Sequence, residues 1–469
     1  TITTASHSHI FLEWVTPSDT QSISVERSLD GVSNWQAVEP NGSPIVDGIL
    51  SPGTQYYYRY RGVNYNGAGE YSLAFSGITN AEAWAGPGVK LASKLDTNGR
   101  VYSVTKQDNG KIILGGDFSE VAGASCSHIA RLNVDLSVDT TFSTGTGFNS
   151  TVRSIIVQQD GRILVGGSFS EYNGTTVPRI IRLNPDGSVD DSFDPAGGPN
   201  STVYTLHENL DGSILMSGDF SSVDGQAKER FAKLSSNGGL DTNYLASVSS
   251  RVKRIIPQAN GKVVIGGGHF DRVNGVEQRS IARLNTDGTL DLTFNASPGA
   301  DDISDIGVTP EGDFIICGSF SRYNNITKSR VAKIDSNGNL IESWELSHSP
   351  NSTVRSVIID EEGRILIGGD FRELGAKIQP RLARLDPNGT LDTTFQIGTG
   401  FNSSVDDLFL LDNETALVSG YFSKYNSSPV SDIALVYSGD IGFPYIYTLG
   451  PIPNPSSGLP YTFQFQAVG

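Results

Sequence analysis

The sequence predicts an all-β protein, a seven-bladed β-propeller of four-stranded antiparallel blades preceded by an N-terminal β-sandwich. Three observations carry that expectation: a fixed period, a doubly buried strand in each period, and turn signals between the strands. The period is marked by Phe118, Phe169, Phe220, Phe270, Phe320, Phe371 and Phe422, each following an apolar triplet and a glycine pair or close variant. Repetition at this interval means stacked supersecondary units, each too small to bury its own apolar face.

The triplets are Ile112-Ile113-Leu114, Ile163-Leu164-Val165, Ile214-Leu215-Met216, Val263-Val264-Ile265, Phe314-Ile315-Ile316, Ile365-Leu366-Ile367 and Ala416-Leu417-Val418. Continuous rather than alternating apolarity means burial on both faces. A propeller blade has a neighbour on either side and meets that need, whereas a two-layer sandwich leaves one face wet.

In the second unit, Val152 to Val157 is the first expected strand and the Asp160-Gly161 turn leads into Arg162 to Phe169. A loop of about ten residues reaches a third strand, Arg179 to Asn184, and a Pro-Asp-Gly-Ser turn a fourth, Val189 to Phe193. Asp-Gly and Asn-Gly pairs between such runs are hairpin signals. The fourth unit has an extra glycine in Gly266-Gly267-Gly268, which reads as a bulge.

The third strand carries Arg131, Arg182, Lys233, Arg283, Lys333 and Arg384, and the fourth ends in Phe142, Phe193, Tyr244, Phe294, Trp344 and Phe395. The seventh unit lacks the fourth-strand aromatic. Counting one period back from Phe142 reaches Leu91, so Val89 to Leu91 is expected to complete the seventh blade as a clasp. Asp139, Asp190, Asp241, Asp291 and Asp392 accompany the third-strand cations and are expected to form cross-strand or interblade ion pairs.

The repeated GGDF…RLN.DGSLD.TF pattern resembles the delta-sixty repeat family of bacterial β-propellers, over residues 89 to 440. The resemblance implies fold and a bacterial or phage origin, and no agreed activity. Residues 1 to 80, with Leu12-Glu13-Trp14, Leu50-Ser51-Pro52-Gly53-Thr54-Gln55-Tyr56 and the run to Tyr71-Ser72, are similar to a fibronectin type III domain. That likeness implies a core role for Trp14 and a corner role for Tyr56. Residues 81 to 88 read as a linker. After 440, Tyr461, Phe463 and Phe465 alternate as in the first strand of a further immunoglobulin-like domain, so 441–469 is expected to be a linker and that strand.

A net charge of -17 argues against nucleic acid or an anionic membrane as the main partner. No apolar run is long enough to insert into a bilayer. Cys126 and Cys317 fall on different units and read as free thiols. No catalytic residue, metal ligand or cofactor site is expected: the six histidines lack metal-type spacing. Asp117, Asp219 and Asp370 recur beside the blade phenylalanines, but Ser168, His269, Ser319 and Tyr421 occupy the same place in other units, the mark of a structural position. Asn149, Asn200, Asn351 and Asn402 begin Asn-Ser-Thr/Ser triplets that read as turn chemistry rather than glycan acceptors.

Each long loop opens on an apolar anchor (Val121, Tyr172, Val223, Val273, Tyr323, Leu374, Tyr425), the tyrosines expected to be half-buried, and continues into five residues that differ in every unit. These contain Arg179, Lys228, Arg230, Arg279, Lys328, Arg330, Lys377 and Arg381, an expected ligand-binding rim, while the short turns on the opposite face are acidic. The functional expectation is a non-enzymatic recognition or adhesion module of a larger extracellular, cell-surface or phage tail protein, binding a surface glycan or acidic protein surface. The alternatives are a structural spacer or assembly subunit and a polysaccharide-active enzyme, the last lacking a visible acid and base pair.

Overall fold

The computed structural model describes residues 2–4, 10–12, 22–38, 45–47, 55–64, 67–72, 74–78 and 95–437, apart from 135, 394, 396, 398, 412–414 and 426–427. Trp14, the Val89 to Leu91 clasp and the strand expected near Tyr461 lie outside the described residues. The chain divides into two compact units, Thr1–Ala85 with Gly439–Gly469, and Gly86–Ser438.

In the smaller unit, Ser22–Ser28 pairs with Gln36–Val38 on one side and Gln55–Asn64 on the other, and Gln55–Asn64 also pairs with Gly67–Ala68 and Phe75–Ile78. Ile2–Thr4, Ile10–Leu12 and Ile45–Asp47 form a second sheet. Alternation along Ser22–Ser28 buries Ile23 and Val25, and on the paired strand Tyr58, opposite Arg27, and Tyr56 are buried.

Among the described residues the larger unit contains seven three-stranded antiparallel sheets, one per repeat. The inner strands are Val101–Lys106, Val152–Val157, Val203–Glu208, Arg254–Pro257, Ile303–Val308, Val354–Ile359 and Val405–Leu410. The middle strands follow as Ile112–Gly116, Ile163–Gly167, Ile214–Gly218, Val263–Gly266, Phe314–Gly318, Ile365–Gly369 and Thr415–Gly420. The outer strands are Ile129–Leu132, Ile180–Leu183, Phe231–Leu234, Ile281–Leu284, Val331–Ile334, Leu382–Leu385 and Ile433–Tyr437. Every apolar triplet of the middle strands is buried, as continuous apolarity requires. The seventh sheet packs on the first: Leu417, Ile433 and Leu435 share one core with Leu114, Val121 and Leu132. Arg100 pairs with Asp406 at 3.3 Å across the same joint.

The expected fourth strand is reduced to a single bridge in six sheets, such as Leu183 with Val189. The reason is local. After the Asn184 to Ser188 turn, Asp190 donates its N–H to the Arg182 carbonyl at 3.0 Å, and its carboxylate then accepts from the N–H and hydroxyl of Ser192 at 3.0 and 2.7 Å. That Asx turn ends the strand after one residue pair. The expected ion pairs form here: Arg131–Asp139 at 2.7 Å, Arg182–Asp190 and Arg283–Asp291 at 2.6 Å, and Arg384–Asp392 at 2.5 Å. Lys233 instead lies over the Tyr244 ring, 5.8 Å from its centroid.

Each long loop contains a short ribbon, for example Glu171–Tyr172 against Thr175–Thr176. The anchors at its base are fully buried, and this corrects the half-buried expectation for the tyrosines. Tyr172, Tyr323 and Tyr425 donate their hydroxyls to the carbonyls of Gly187, Gly338 and Ile397 at 2.6, 2.8 and 2.8 Å, which allows complete burial without an unmet donor. Asn149, Asn200, Asn351 and Asn402 cap the ribbons; the Asn149 carboxamide accepts the N–H groups of Ser170 and Glu171 at 2.9 and 3.1 Å. Their recurrence is turn chemistry.

Candidate functional site

Two features compete for the role of a binding site: the rim of long loops and the channel at the centre of the ring. Both lie at the same end of the sheets, because each inner strand begins opposite the glycine pair from which the long loop departs.

The rim cations are held in different ways. Arg179, Arg230, Arg330 and Arg381 all have a left-handed backbone, with φ of 62°, 57°, 66° and 76°. Each sits at the corner before an outer strand, where its carbonyl accepts the N–H of the last middle-strand glycine, as Gly369 donates to Arg381 at 2.9 Å. Their guanidinium groups turn inward: Arg179 and Arg381 donate to the Ser168 and Asp370 carbonyls, and Arg330 to the Pro350 carbonyl at 3.0 Å. Arg230 pairs with Glu229 at 3.2 Å. Lys228 donates to the Tyr244 carbonyl at 2.6 Å, and Lys328 pairs with Glu345 at 3.3 Å. Arg279 is shared between Glu277 and Asp301 at 3.0 and 3.2 Å. Lys377 stands exposed on its ribbon. The structure therefore spreads these eight around the ring and gives most of them local partners instead of bringing them together.

Apart from Lys377, the residues exposed at the ribbon tips are others: Thr175–Thr176, Gln226–Ala227, Val276–Glu277, Ile326–Thr327 and Lys377–Ile378. Ile378 is 74 % exposed, an apolar side chain that nothing in the fold requires outside.

The channel is lined by inner strands from all seven sheets and encloses about 700 Å³. A backbone irregularity builds its wall. In six sheets the register slips by one residue at the start of the inner strand, and the extra residue is Tyr102, Arg153, Tyr204, Ser304, Arg355 or Asp406. Bulges re-aim side chains in this way. The close approach of the inner strand depends on the second glycine of each pair: a Cβ at Gly116, Gly218 or Gly369 would strike the carbonyl of Arg100, Thr202 or Thr353. The fourth sheet differs: where its triple glycine reads as a bulge in the sequence, the paired register runs without a shift from Arg254 opposite Gly266 to Pro257 opposite Val263. Gly267 and Gly268 both take positive φ, and Lys253 stands at the position of the bulge.

Cations and aromatics alternate around the side built by the first four sheets. Arg100 lies 3.1 Å from the Tyr421 centroid, Arg153 lies 4.0 Å from that of Tyr102 and 5.5 Å from that of Tyr204, and Arg251 lies 4.9 Å from that of Tyr204. Asp117, which reads as structural in the sequence, accepts the Tyr102 hydroxyl at 3.1 Å. Burial, with the neighbouring charge of Asp219, raises the Tyr204 phenol.

The other side is an ion-pair network. Asp305 is fully buried, grips Arg254 through both oxygens, and accepts the Ser356 hydroxyl at 2.8 Å and the Val357 N–H at 3.1 Å. Burial pushes its carboxyl up, and the opposing charge of Arg254 overrides this and keeps it below the usual range. Arg355 pairs with Asp370 at 2.8 Å and Asp406 at 3.6 Å. Burial raises the Asp406 carboxyl despite Arg100 and Arg355. Cys317, beside Asp305, is buried with its thiol held well above the ordinary value by the same burial; Cys126 and Cys317 are both unpaired. Among the described residues no group of three His, Cys, Asp or Glu side chains is placed to hold a metal ion.

The sequence does not single out the channel residues because they are not repeated: the bulged position is tyrosine, arginine, serine or aspartate from sheet to sheet. The available signal is the residue following the recurrent valine or isoleucine that opens each bulged inner strand, opposite the glycine that ends the middle strand.

Six segments, 107–142, 158–193, 210–244, 258–294, 312–340 and 363–395, match the model of a family described as a domain of unknown function (DUF5122) beta-propeller. Each match begins before a middle strand, and all but the fifth end on the aromatic after the single-pair bridge. The repeats are thus β-propeller repeats. A search of curated proteins finds no match to the sequence. Among solved structures, the chain is similar to the extracellular domain of a hybrid two-component system of B. thetaiotaomicron, at 11 % identity and a TM-score of 0.46, covering 90 % of this chain and 53 % of that one. A protein of unknown function from Dyadobacter fermentans is similar at 14 % identity and a TM-score of 0.32, covering 75 % of this chain and 96 % of that one. The FN1–FN3 domains of chicken CNTN1 are similar at 12 % identity and a TM-score of 0.15, covering 72 % of this chain and 96 % of that one. The chain spans about half the length of the first of these structures.

Proposed function

We propose that this chain is a non-enzymatic recognition module of a larger extracellular, cell-surface or virion protein, in which a seven-bladed propeller of the delta-sixty type presents its long-loop face to a polar or anionic surface ligand. The N-terminal unit is read as a fibronectin type III-like spacer on the same chain. One observation carries this reading: buried and recurrent anchors fix seven ribbons on one face, while the exposed residues at their tips differ in every repeat. A scaffold that is constant beneath and variable on top is suited to recognition. A spacer needs no such variation at its tips. An enzyme needs a paired acid and base, whereas the lining carboxylates Asp407 and Asp406 are engaged with Arg254 and Arg355 and Asp302 faces His269.

The test replaces the ten tip residues named above with alternating glycine and serine. The expected result is loss of binding to an acidic glycan array and to native cell surfaces, with a nearly unchanged Tm. Retained binding would leave the spacer reading.

A further inference from the structure

We infer that the central channel, at its mouth on the long-loop face, is a second and separate site that binds an acidic sugar by its carboxylate through Arg153 and Arg251.

The charge is distributed unevenly around the channel. Among the described residues five lining cations, Arg100, Arg153, Arg251, Lys253 and Arg254, come from the first four sheets, and the lining acids Asp302, Asp406 and Asp407 from the last three, where Arg355 is the one lining cation. Those acids have work of their own: Asp406 is shared by Arg100 and Arg355, Asp407 lies 3.6 Å from Arg254, and Asp302 faces His269 at 3.3 Å. Among the described residues no carboxylate lies in ion-pair range of Arg153 or Arg251. In a chain of net charge -17, acids are plentiful enough to neutralise two arginines if neutrality were the purpose.

Arg153 is also held in place. It lies over Tyr102 and nearer to it than to Tyr204, and the Tyr102 phenol is fixed by Asp117. Its Nε is buried and has no hydrogen-bond partner. A buried donor left unmet costs about 1–3 kcal/mol, a penalty that a bound oxyanion removes. Arginine is suited to that task because its planar fork meets a carboxylate through two parallel hydrogen bonds.

Volume separates a sugar from a bare ion. The channel encloses about 700 Å³, within the range of small-molecule sites and far larger than one inorganic oxyanion requires. Ser103, Ser154 and Thr205 use their hydroxyls to bond the backbone of the next repeat, which leaves Ser304 among these wall residues to meet a sugar hydroxyl. A neutral sugar would leave Arg153 and Arg251 uncompensated, so the carboxylate is the part of the ligand that selects it.

The experiment is calorimetric titration of the full chain with glucuronate, glucose and inorganic sulfate, repeated on Arg153→Gln and Arg251→Gln. Glucuronate is expected to bind at least tenfold more tightly than glucose or sulfate, and each substitution to weaken it tenfold or more. Equal affinity for glucose and glucuronate, or for sulfate and glucuronate, would overturn the assignment. So would glucuronate binding that survives Arg251→Gln, the variant that decides the matter if Arg153→Gln disturbs folding. The ribbon-tip variant is expected to keep its glucuronate affinity. A tip variant that loses glucuronate as well would place the sugar on the loops and refute the channel site.

Discussion

Arg131 shows what one residue contributes in this fold. Its guanidinium bonds Asp139 within the first sheet, lies 4.5 Å from the Phe142 centroid, and reaches the Pro185 carbonyl of the next repeat at 2.5 Å. Arg182 and Arg283 repeat the reach to the Ser236 and Ser336 carbonyls at 2.6 and 3.1 Å. Arg131→Ala leaves Asp139 buried with only Lys111 as a cation, and is expected to cost about 3–5 kcal/mol, read from urea denaturation. The pairing of these residues is legible in the sequence because both partners recur once per period. The contact to the neighbouring repeat is not, since its acceptor is a backbone carbonyl.

Acid sensitivity belongs to the same scale. Burial alone would raise the carboxyls of Asp139, Asp190 and Asp291, but hydrogen bonds from neighbouring Lys, Arg, Ser and Thr hold all three well below the usual range. A carboxyl depressed in the folded state contributes stability that is complete above its unfolded value near 4 and drains away as pH falls through the folded value. Burial also lowers the imidazoles of His128 and His207, and the buried His207 Nε2 has no hydrogen-bond partner. The folded state then resists protonation that the unfolded chain accepts near 6.5, so stability declines as pH drops below that point. Tm measured against pH is expected to fall in two stages, and His207→Gln to flatten the first.

At the scale of the element, the glycine pair does two jobs that the repeat pattern shows only as one motif. The first glycine lets neighbouring sheets approach: a Cβ at Gly166 would meet Val203 and Leu206. The second admits the inner-strand bulge. Gly218→Ala would drive a Cβ into the Thr202 backbone and is expected to cost about 3 kcal/mol or more, whereas at Gly225, with φ of 70° and open space around it, alanine should cost about 1–2 kcal/mol. Comparing the two by chemical denaturation separates steric collision from backbone preference. The inner, middle and outer strands are legible from periodicity to within a residue or two. The fourth strand reads as longer than it is, because the Asp that begins each Asx turn sits in an otherwise alternating run. The corner arginines read as a cationic rim because a left-handed φ leaves no trace in composition; only His128, Ser280 and Asp432 at the same place, with φ of 66°, 56° and 59°, reveal the position as a backbone corner.

For the whole molecule the joint between the seventh and first sheets matters most. Lys106 reaches the Leu411 carbonyl at 3.1 Å and Leu417 is fully buried in the core shared by both sheets. Leu417→Ala is expected to cost about 2–5 kcal/mol and to broaden the unfolding transition. An equal loss with an unchanged transition width would show that the joint is no different from the other interfaces.

The central claim is that a constant ring presents variable tips for recognition. Its most direct measurement is surface plasmon resonance of the full chain and the ten-residue tip variant over an immobilised panel of acidic and neutral glycans, at low and physiological salt. The account predicts binding to acidic members that weakens with salt, since exposed charges are screened over about 8 Å at physiological ionic strength, and that is lost in the tip variant at unchanged Tm. Binding of the same glycans with the same affinity by both proteins would contradict it.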